Sequence, residues 1–280
     1  MVCAIGDENG TLIDRISFPT EAPDLTMPQL ITYFKQFPIE ALGIGTFGPA
    51  DLTPGSATYG YILATPKLAW KNYDIRGILA KALQIPVGFD TDVNAAAIGE
   101  ASYGCMQDVA NGLYITIGTG IGIGVIVNHK PLHGMLHPEG GHILLHQNPA
   151  DTYQGCCPYH RTCFEGLAAG PAIEGRYHKK AIELSNIPEV WELEAEYIAK
   201  ALMNYILILS PERIVLGGGV MHQEQLFPLI RTKTKQFLND YLSTAQLNNM
   251  DTYIVPPSLN DNQGVLGCLK LALDAKCHTH

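Results

Sequence analysis

The 280-residue chain is 46% hydrophobic and 16% charged, a balance that excludes a disordered protein and supplies enough apolar side chains for a substantial core. A net charge of -9 repels nucleic-acid phosphates and anionic lipid, and no dense Lys/Arg stripe overrides it. No apolar run reaches membrane-spanning length, because YILILSPERIVLGGG is broken by Pro211, Glu212 and Arg213. The N-terminus lacks a basic and then apolar leader, and seven cysteines, an odd number, argue against a secreted disulfide framework. These features point to a cytoplasmic protein with small-molecule partners, no nucleic acid and no membrane.

VCAIG, the turn DENG and TLIDRISF predict a β-hairpin, with Asp7 to Gly10 supplying the turn chemistry. A helix follows from Met27 to Phe37, then the apolar strand ALGIGTFG, a loop containing ATPKLAW, a helix from Ile75 to Leu83 and the strand IPVGFDTD. After Asn94 the small-residue run AAAIGEASYG suits a closely packed helix. GLYITIGTG opens a second lobe. Glu189 to Ser210 carries Trp191, Ala195, Ile198, Leu202, Tyr205, Ile206 and Leu209 at helical spacing, which makes its aromatics core. RIVLGGG is a buried strand ending in a glycine turn, and MHQEQLFPLIRTKTKQFL continues as helix with a disturbance at Pro228.

Two glycine clusters bear on nucleotide binding. Gly118, Gly120, Gly122 and Gly124 alternate in IGTGIGIGVIV, but a dinucleotide fingerprint must run from strand into helix, and here VIVNHK reads as a second strand. The glycines therefore form a hairpin whose bare backbone and Thr119 hydroxyl can approach a phosphate, a tight turn without ligand being the competing reading. Gly217, Gly218 and Gly219 follow a strand and precede a helix, which lets backbone approach a nucleotide. Together, in one lobe, they favour ATP.

Asp92 ends the strand VGFDTD at the carboxyl edge where open α/β sheets bind ligands, and an Asp there needs only to accept the proton of an attacking hydroxyl. Asp90 lies on the same face of the strand, and an N-cap role for either Asp competes. Phe47, Gly48 and Pro49, with Thr65, Pro66 and Lys67, are loop segments that can line the same cleft; Lys67 is a phosphate contact or a solvated charge.

From His137 to Glu165 the chain concentrates metal-binding chemistry. Cys157, His160 and Cys163 are spaced C-x2-H-x2-C, and His142 upstream completes a four-ligand set, so a zinc there is structural. Cys156 beside Cys157 leaves the choice of thiol open. Such a zinc would fix two carboxylates, Glu139 and Glu165. His133, His137 and His146 read as ordinary loop or strand histidines, and Cys3, Cys105, Cys268 and Cys277 as buried or incidental thiols.

The combination TDVNAAA, GTGIG, HPEGGH, C-x2-H-x2-C-F-E-G and LGGGV resembles the ROK family of sugar kinases, in particular its zinc-containing bacterial fructokinases. The similarity runs over nearly the whole chain; the zinc segment is its most specific part, and the glycine motifs are shared with the wider actin-like ATPases. The resemblance implies an α/β, two-lobed actin-like ATPase (RNase H-like) fold with a structural zinc loop. The lobes would run 1–109 and 110–260, with a C-terminal helix over 261–280 returning to the first. It further implies a homodimer and ATP-dependent phosphorylation of D-fructose at its 6-hydroxyl, with Mg2+ and ATP in the cleft. On that resemblance Asp92 is the general base; Glu139, Glu165 and His142 bind sugar; Gly118, Thr119, Gly120 and Gly218 contact nucleotide; and His142, Cys157, His160 and Cys163 hold Zn2+. A kinase for mannose, glucose or an N-acetylhexosamine, and a non-catalytic sugar-sensing domain, are the alternatives. The family opens with a strand and a D-x-G-G-T-K or E-x-G-G-T-K turn that has no counterpart before Val2, so the chain as written is expected to be a weak or inactive kinase with an unfilled apolar slot.

Overall fold

A computed structural model describes residues 1–65 and 67–277; Pro66 of the loop expected beside Asp92 and residues 278–280, the end of the helix expected over 261–280, lie outside the described residues. Two compact units divide the chain. The first comprises Met1–Asp108, His129–Pro138 and the segment from Ser258 onward, and the second Val109–Asn128 and Glu139–Pro257. Segment 129–138, which the sequence places within the second lobe, thus packs with the first.

In unit one, β1 (Val2–Gly6) and β2 (Leu12–Ser17) form the expected antiparallel hairpin. Helix α1 spans Pro23–Phe34, four residues earlier than its sequence pattern suggests, because Pro23 is preorganised for the first helical position; it stops before Pro38. β3 (Leu42–Thr46) precedes a short antiparallel pair, β4 (Tyr61–Ile62) with β5 (Tyr73–Asp74). Helix α2 (Ile75–Leu83) is capped by Asp74, whose carboxylate accepts from the Gly77 amide at 2.7 Å. β6 (Val87–Thr91) pairs parallel with β3, and helix α3 (Asp92–Tyr103) leaves its carboxyl end. The two-residue strand β9 (Lys130–Pro131) lies in segment 129–138.

The β1–β2 and β3–β6 ladders are separate two-stranded sheets. Between them lies a cavity of about 380 Å³ bordered by Met1–Gly6 and Ala41–Phe47, walled by Leu30, Phe34, Leu79 and Leu269, and reaching Lys67 and Asp92. The cavity is thus lined by residues of β1 on one side and of β3 on the other.

In unit two, β7 (Gly112–Ile117) and β8 (Ile121–Val127) make the glycine hairpin, β10 (Arg213–Gly217) runs parallel to β7, and β11 (Ile254–Val255) parallel to β10. Helices α4 (Phe164–Ala168), α5 (Gly170–Tyr177) and α6 (Pro188–Leu209) follow the metal-ligand segment. Trp191, Ile198, Leu202 and Ile206 of α6 are buried as the helical spacing predicts, each contributing roughly 1.5–3 kcal/mol or more by removal from water, whereas Leu209 at the helix end is only half-buried. Helix α7 (Leu226–Leu238) places Pro228 in its first turn, where a missing amide hydrogen costs nothing, so no disturbance arises. Short helices α8 (Ala245–Asn248) and α9 (Met250–Tyr253) lead to β11, and α10 (Gln263–Cys277) belongs to unit one, against α3 and β3. A side chain at Gly267 would meet the Ala95 carbonyl at 1.6 Å, so α10 and α3 touch backbone to backbone. No helix among the described residues is long and apolar enough to cross a membrane.

Candidate active site

The first turn of α3 carries Asp92. Neither Asp90 nor Asp92 caps that helix: Thr91 Oγ1 accepts from the Asn94 amide at 3.1 Å, which leaves both carboxylates for other work. Asp92 Oδ1 accepts from the Val93 amide at 2.8 Å, and Asp92 borders the cavity together with Lys67. Crowding by surrounding protein raises its pKa above the ordinary carboxylate value, opposed by the Val93 amide and by the charge of Lys67. Its residue surface is nonetheless exposed, so the carboxyl is partly desolvated while still open to a ligand. Lys67 Nζ sits 4.2 Å from the centroid of the Phe47 ring.

Three further residues take part around the start of α3: Asp90, read from the sequence as a competing N-cap, and His133 and His137, read as ordinary histidines. Asp90 is 1% exposed and receives Asn94 Nδ2 at 2.7 Å, the Thr91 amide at 2.8 Å and His133 Nε2 at 2.9 Å. His137, read from the sequence as an ordinary histidine, is 7% exposed, and its Nε2 accepts from the Ala50 amide at 3.3 Å. Both histidines reach partners more than forty residues away, so no local pattern signals them.

In unit two the structure brings His142, Cys157, His160 and Cys163 together, with one ligand atom from each inside a group no wider than 4.8 Å. His142 Nδ1 lies 3.7 Å from Cys157 Sγ and 3.6 Å from Cys163 Sγ, and Cys157 Sγ lies 3.9 Å from His160 Nδ1. Zinc bonds of about 2.3 Å to sulfur and about 2.0 Å to nitrogen set a tetrahedral S–N edge of about 3.5 Å, so the donor set fits that ion. Cys156 stands outside the group, its Sγ 3.8 Å from the Glu165 carbonyl oxygen.

Glu139 and His142 flank a single turn, with the His142 amide donating to the Glu139 carbonyl at 3.0 Å. The glycines between them press this turn onto β8: a side chain at Gly141 would lie 1.8 Å from the Ile121 carbonyl oxygen. Glu165, at the start of α4, accepts the Ile121 amide at 2.9 Å, which ties the metal-ligand segment to the glycine hairpin.

The two glycine clusters also meet. A Cβ at Gly118 would lie 3.8 Å from the Gly219 amide nitrogen, and Thr119 is exposed at the tip between them. Gly218 has φ +91°, and any side chain there would strike Ile117 backbone at 2.5 Å, so this position is closed to other residues. After Gly218 the chain makes only a 3₁₀ turn, Gly219–His222; the helix expected at once begins at Leu226.

An acidic residue at a parallel strand's carboxyl end in unit one, and a bare glycine hairpin beside a second glycine turn in unit two, are the features of a sugar-kinase-like α/β protein. The chain belongs to the ROK family, whose profile matches residues 1–275. A protein of Bacillus subtilis (strain 168) is 54% identical over 275 residues, spanning 98% of this chain and 92% of its own. A fructokinase of Pediococcus pentosaceus is 45% identical, over 97% of this chain and 93% of its own. Among solved structures, the ROK hexokinase from Thermus thermophilus superposes with a TM-score of 0.79 at 26% identity, covering 96% of this chain and 94% of that one.

Proposed function

We propose that the chain is an ATP-dependent fructokinase, transferring the γ-phosphoryl group of ATP to the 6-hydroxyl of D-fructose. The observation that carries the reaction type is the placement of Asp92, partly desolvated at the start of α3 and free of any capping duty. It accepts the hydroxyl proton as the sugar oxygen bonds to phosphorus and the bond to ADP breaks. The choice of fructose rests on the relatives named fructokinase. Glu139, His142 and Glu165 hold sugar hydroxyls, and Gly118, Thr119, Gly120 and Gly218 receive the nucleotide. Mg2+ accompanies ATP and offsets phosphate charge. His142, Cys157, His160 and Cys163 would hold zinc, which cross-links their two segments and, with four protein ligands, has no open position for chemistry.

The test is a coupled assay of ADP release with fructose, mannose and glucose on the protein and on Asp92→Asn. Fructose preferred, with Asp92→Asn lowering kcat by roughly 10²- to 10⁴-fold, sustains the reading. Equal or better rates on another hexose would move the substrate, and full turnover by Asp92→Asn would remove the base.

The cavity in unit one extends the proposal. It takes an extended segment, of the kind formed by the family's opening strand and acidic-glycine turn, which pairs with β1 and β3 and ends beside Lys67 and Asp92. Residues of β1 on one side and of β3 on the other, apolar walls and a cavity that reaches Asp92 support this. Fusing that strand and turn ahead of Met1 is expected to raise turnover and ATP affinity; equal values with and without it sink the idea. The resemblance adds a cytoplasmic homodimer, and sedimentation at the monomer mass refutes the dimer.

A further inference from the structure

Segment 129–138 enters from β8 and leaves into Glu139, yet it packs within unit one, where two histidines fasten it. They do so with opposite chemistry. A carboxylate only accepts, so His133 Nε2 carries a proton toward Asp90; a backbone amide only donates, so His137 Nε2 is bare toward Ala50. His137 is therefore an anchor to the loop after β3, whereas His133 acts on the residue that organises the turn bearing Asp92.

Asp90 is buried and never reaches solvent, so its charge must be met by donors. Among the described residues it has three: the Thr91 amide, Asn94 Nδ2 and His133 Nε2. His133 alone among them can bring positive charge, and Asp90 raises its pKa through their hydrogen bond. Asn94 depends on the same carboxylate: its amide nitrogen donates to Asp90 Oδ1, while its buried Oδ1 has no partner among the described residues. One bond thus fixes the orientation of a side chain in the first turn of α3, two residues after Asp92. Without His133 the buried Asp90 carboxylate loses one of its three donors among the described residues, the one from outside the strand-and-helix turn, and is freer to reorient away from Asn94 and Thr91.

We infer that His133 is a positioning residue for phosphoryl transfer, acting on Asp92 through Asp90 and Asn94 from a segment that lies outside the α3 strand-and-helix unit. It touches neither substrate nor nucleotide. The inference rests on Asp92 as the base, and the test separates the two.

Steady-state kinetics with fructose varied, on the protein or on its strand-fused form where that form alone turns over, would compare His133→Ala, His133→Gln and Asp92→Asn. Amide exchange of Val93 and Asn94 would be followed on the same proteins. His133→Ala is expected to lower kcat about 10-fold with the KM for fructose nearly unchanged, and to speed exchange at Asn94. His133→Gln, which keeps an N–H donor near the Nε2 position, recovers most of both. Unchanged kcat in His133→Ala, or equal loss in the Ala and Gln variants, overturns the positioning role. If Asp92→Asn keeps full turnover, or no form turns over, the base assignment falls, and unchanged exchange at Asn94 in His133→Ala would overturn the ordering role as well.

Discussion

In unit two β10 is paired on both sides, by β7 and β11, and β7 also pairs with β8; in unit one β1–β2 and β3–β6 remain separate ladders on either side of a cavity of about 380 Å³. The second unit also gathers the four donors His142, Cys157, His160 and Cys163, which a zinc would cross-link, and holds a buried network in which Arg176 Nη2 and the Tyr197 hydroxyl both donate to Asp151 Oδ2, at 3.1 and 2.6 Å. The first relies on α10 closing over α3 and β3 and on the His133 and His137 fastenings. Asp92, the residue assigned to chemistry, thus stands on the unit whose sheet is interrupted, while the rigid ties belong to the unit that carries the glycine turns.

The sharpest way to break this contrast is to remove the ties of unit two. Chelation of zinc, or Cys163→Ser, is expected to cost the larger part of that unit's stability, since structural zinc contributes roughly 10–16 kcal/mol in isolated zinc-finger peptides. Calorimetry should then show a transition that moves far down in temperature on chelation; an unmoved transition would mean that the cluster holds no structural ion.

Asp151→Asn is the next effect in size, expected to destabilise by about 3–5 kcal/mol because it leaves the buried Arg176 charge uncompensated. Burial opposes ionisation of Asp151, but its bonds from Tyr197, the Tyr153 amide and Arg176 win, and its pKa is lowered. Its stabilisation is therefore present above the unfolded carboxylate pKa of about 3.9 and is lost as pH falls through the lower folded value. Urea unfolding at neutral pH and near pH 3 should show the gap between variant and parent narrowing in acid; a gap that widens in acid contradicts the assignment.

The smallest effect belongs to unit one. Lys67 lowers the pKa of Asp92 against the dominant rise from burial. With Lys67→Met that opposition is gone, so the acid limb of kcat/KM should move to higher pH. Rate profiles that superpose would show that Lys67 does not act on the base.

Much of the fold was readable from order along the chain. The hairpin of β1 and β2, the strand and helix around Asp92, the glycine hairpin and the α6 core stripe each follow from periodicities of two or 3.6 within a single element. The helix boundaries that moved did so at prolines: Pro23 opens α1 and Pro228 sits harmlessly in the first turn of α7. The His/Cys set was legible because three of its four members lie within seven residues, where loop closure alone brings donors together.

The sequence by itself determined an acidic α/β protein with a carboxylate at a strand end, a bare glycine hairpin and a compact donor set, because each is written in consecutive residues. Tertiary structure decided that Cys157 rather than Cys156 joins that set, that Gly118 meets Gly219, that Glu165 binds the Ile121 amide, and that segment 129–138 packs against Asp90 and Ala50. These pairings join residues from 43 to 87 positions apart for Asp90 with His133 and Ala50 with His137. Neither partner's neighbours in sequence encode the other; only the burial of a charged carboxylate and of a backbone amide, each needing a partner once water is gone, selects them.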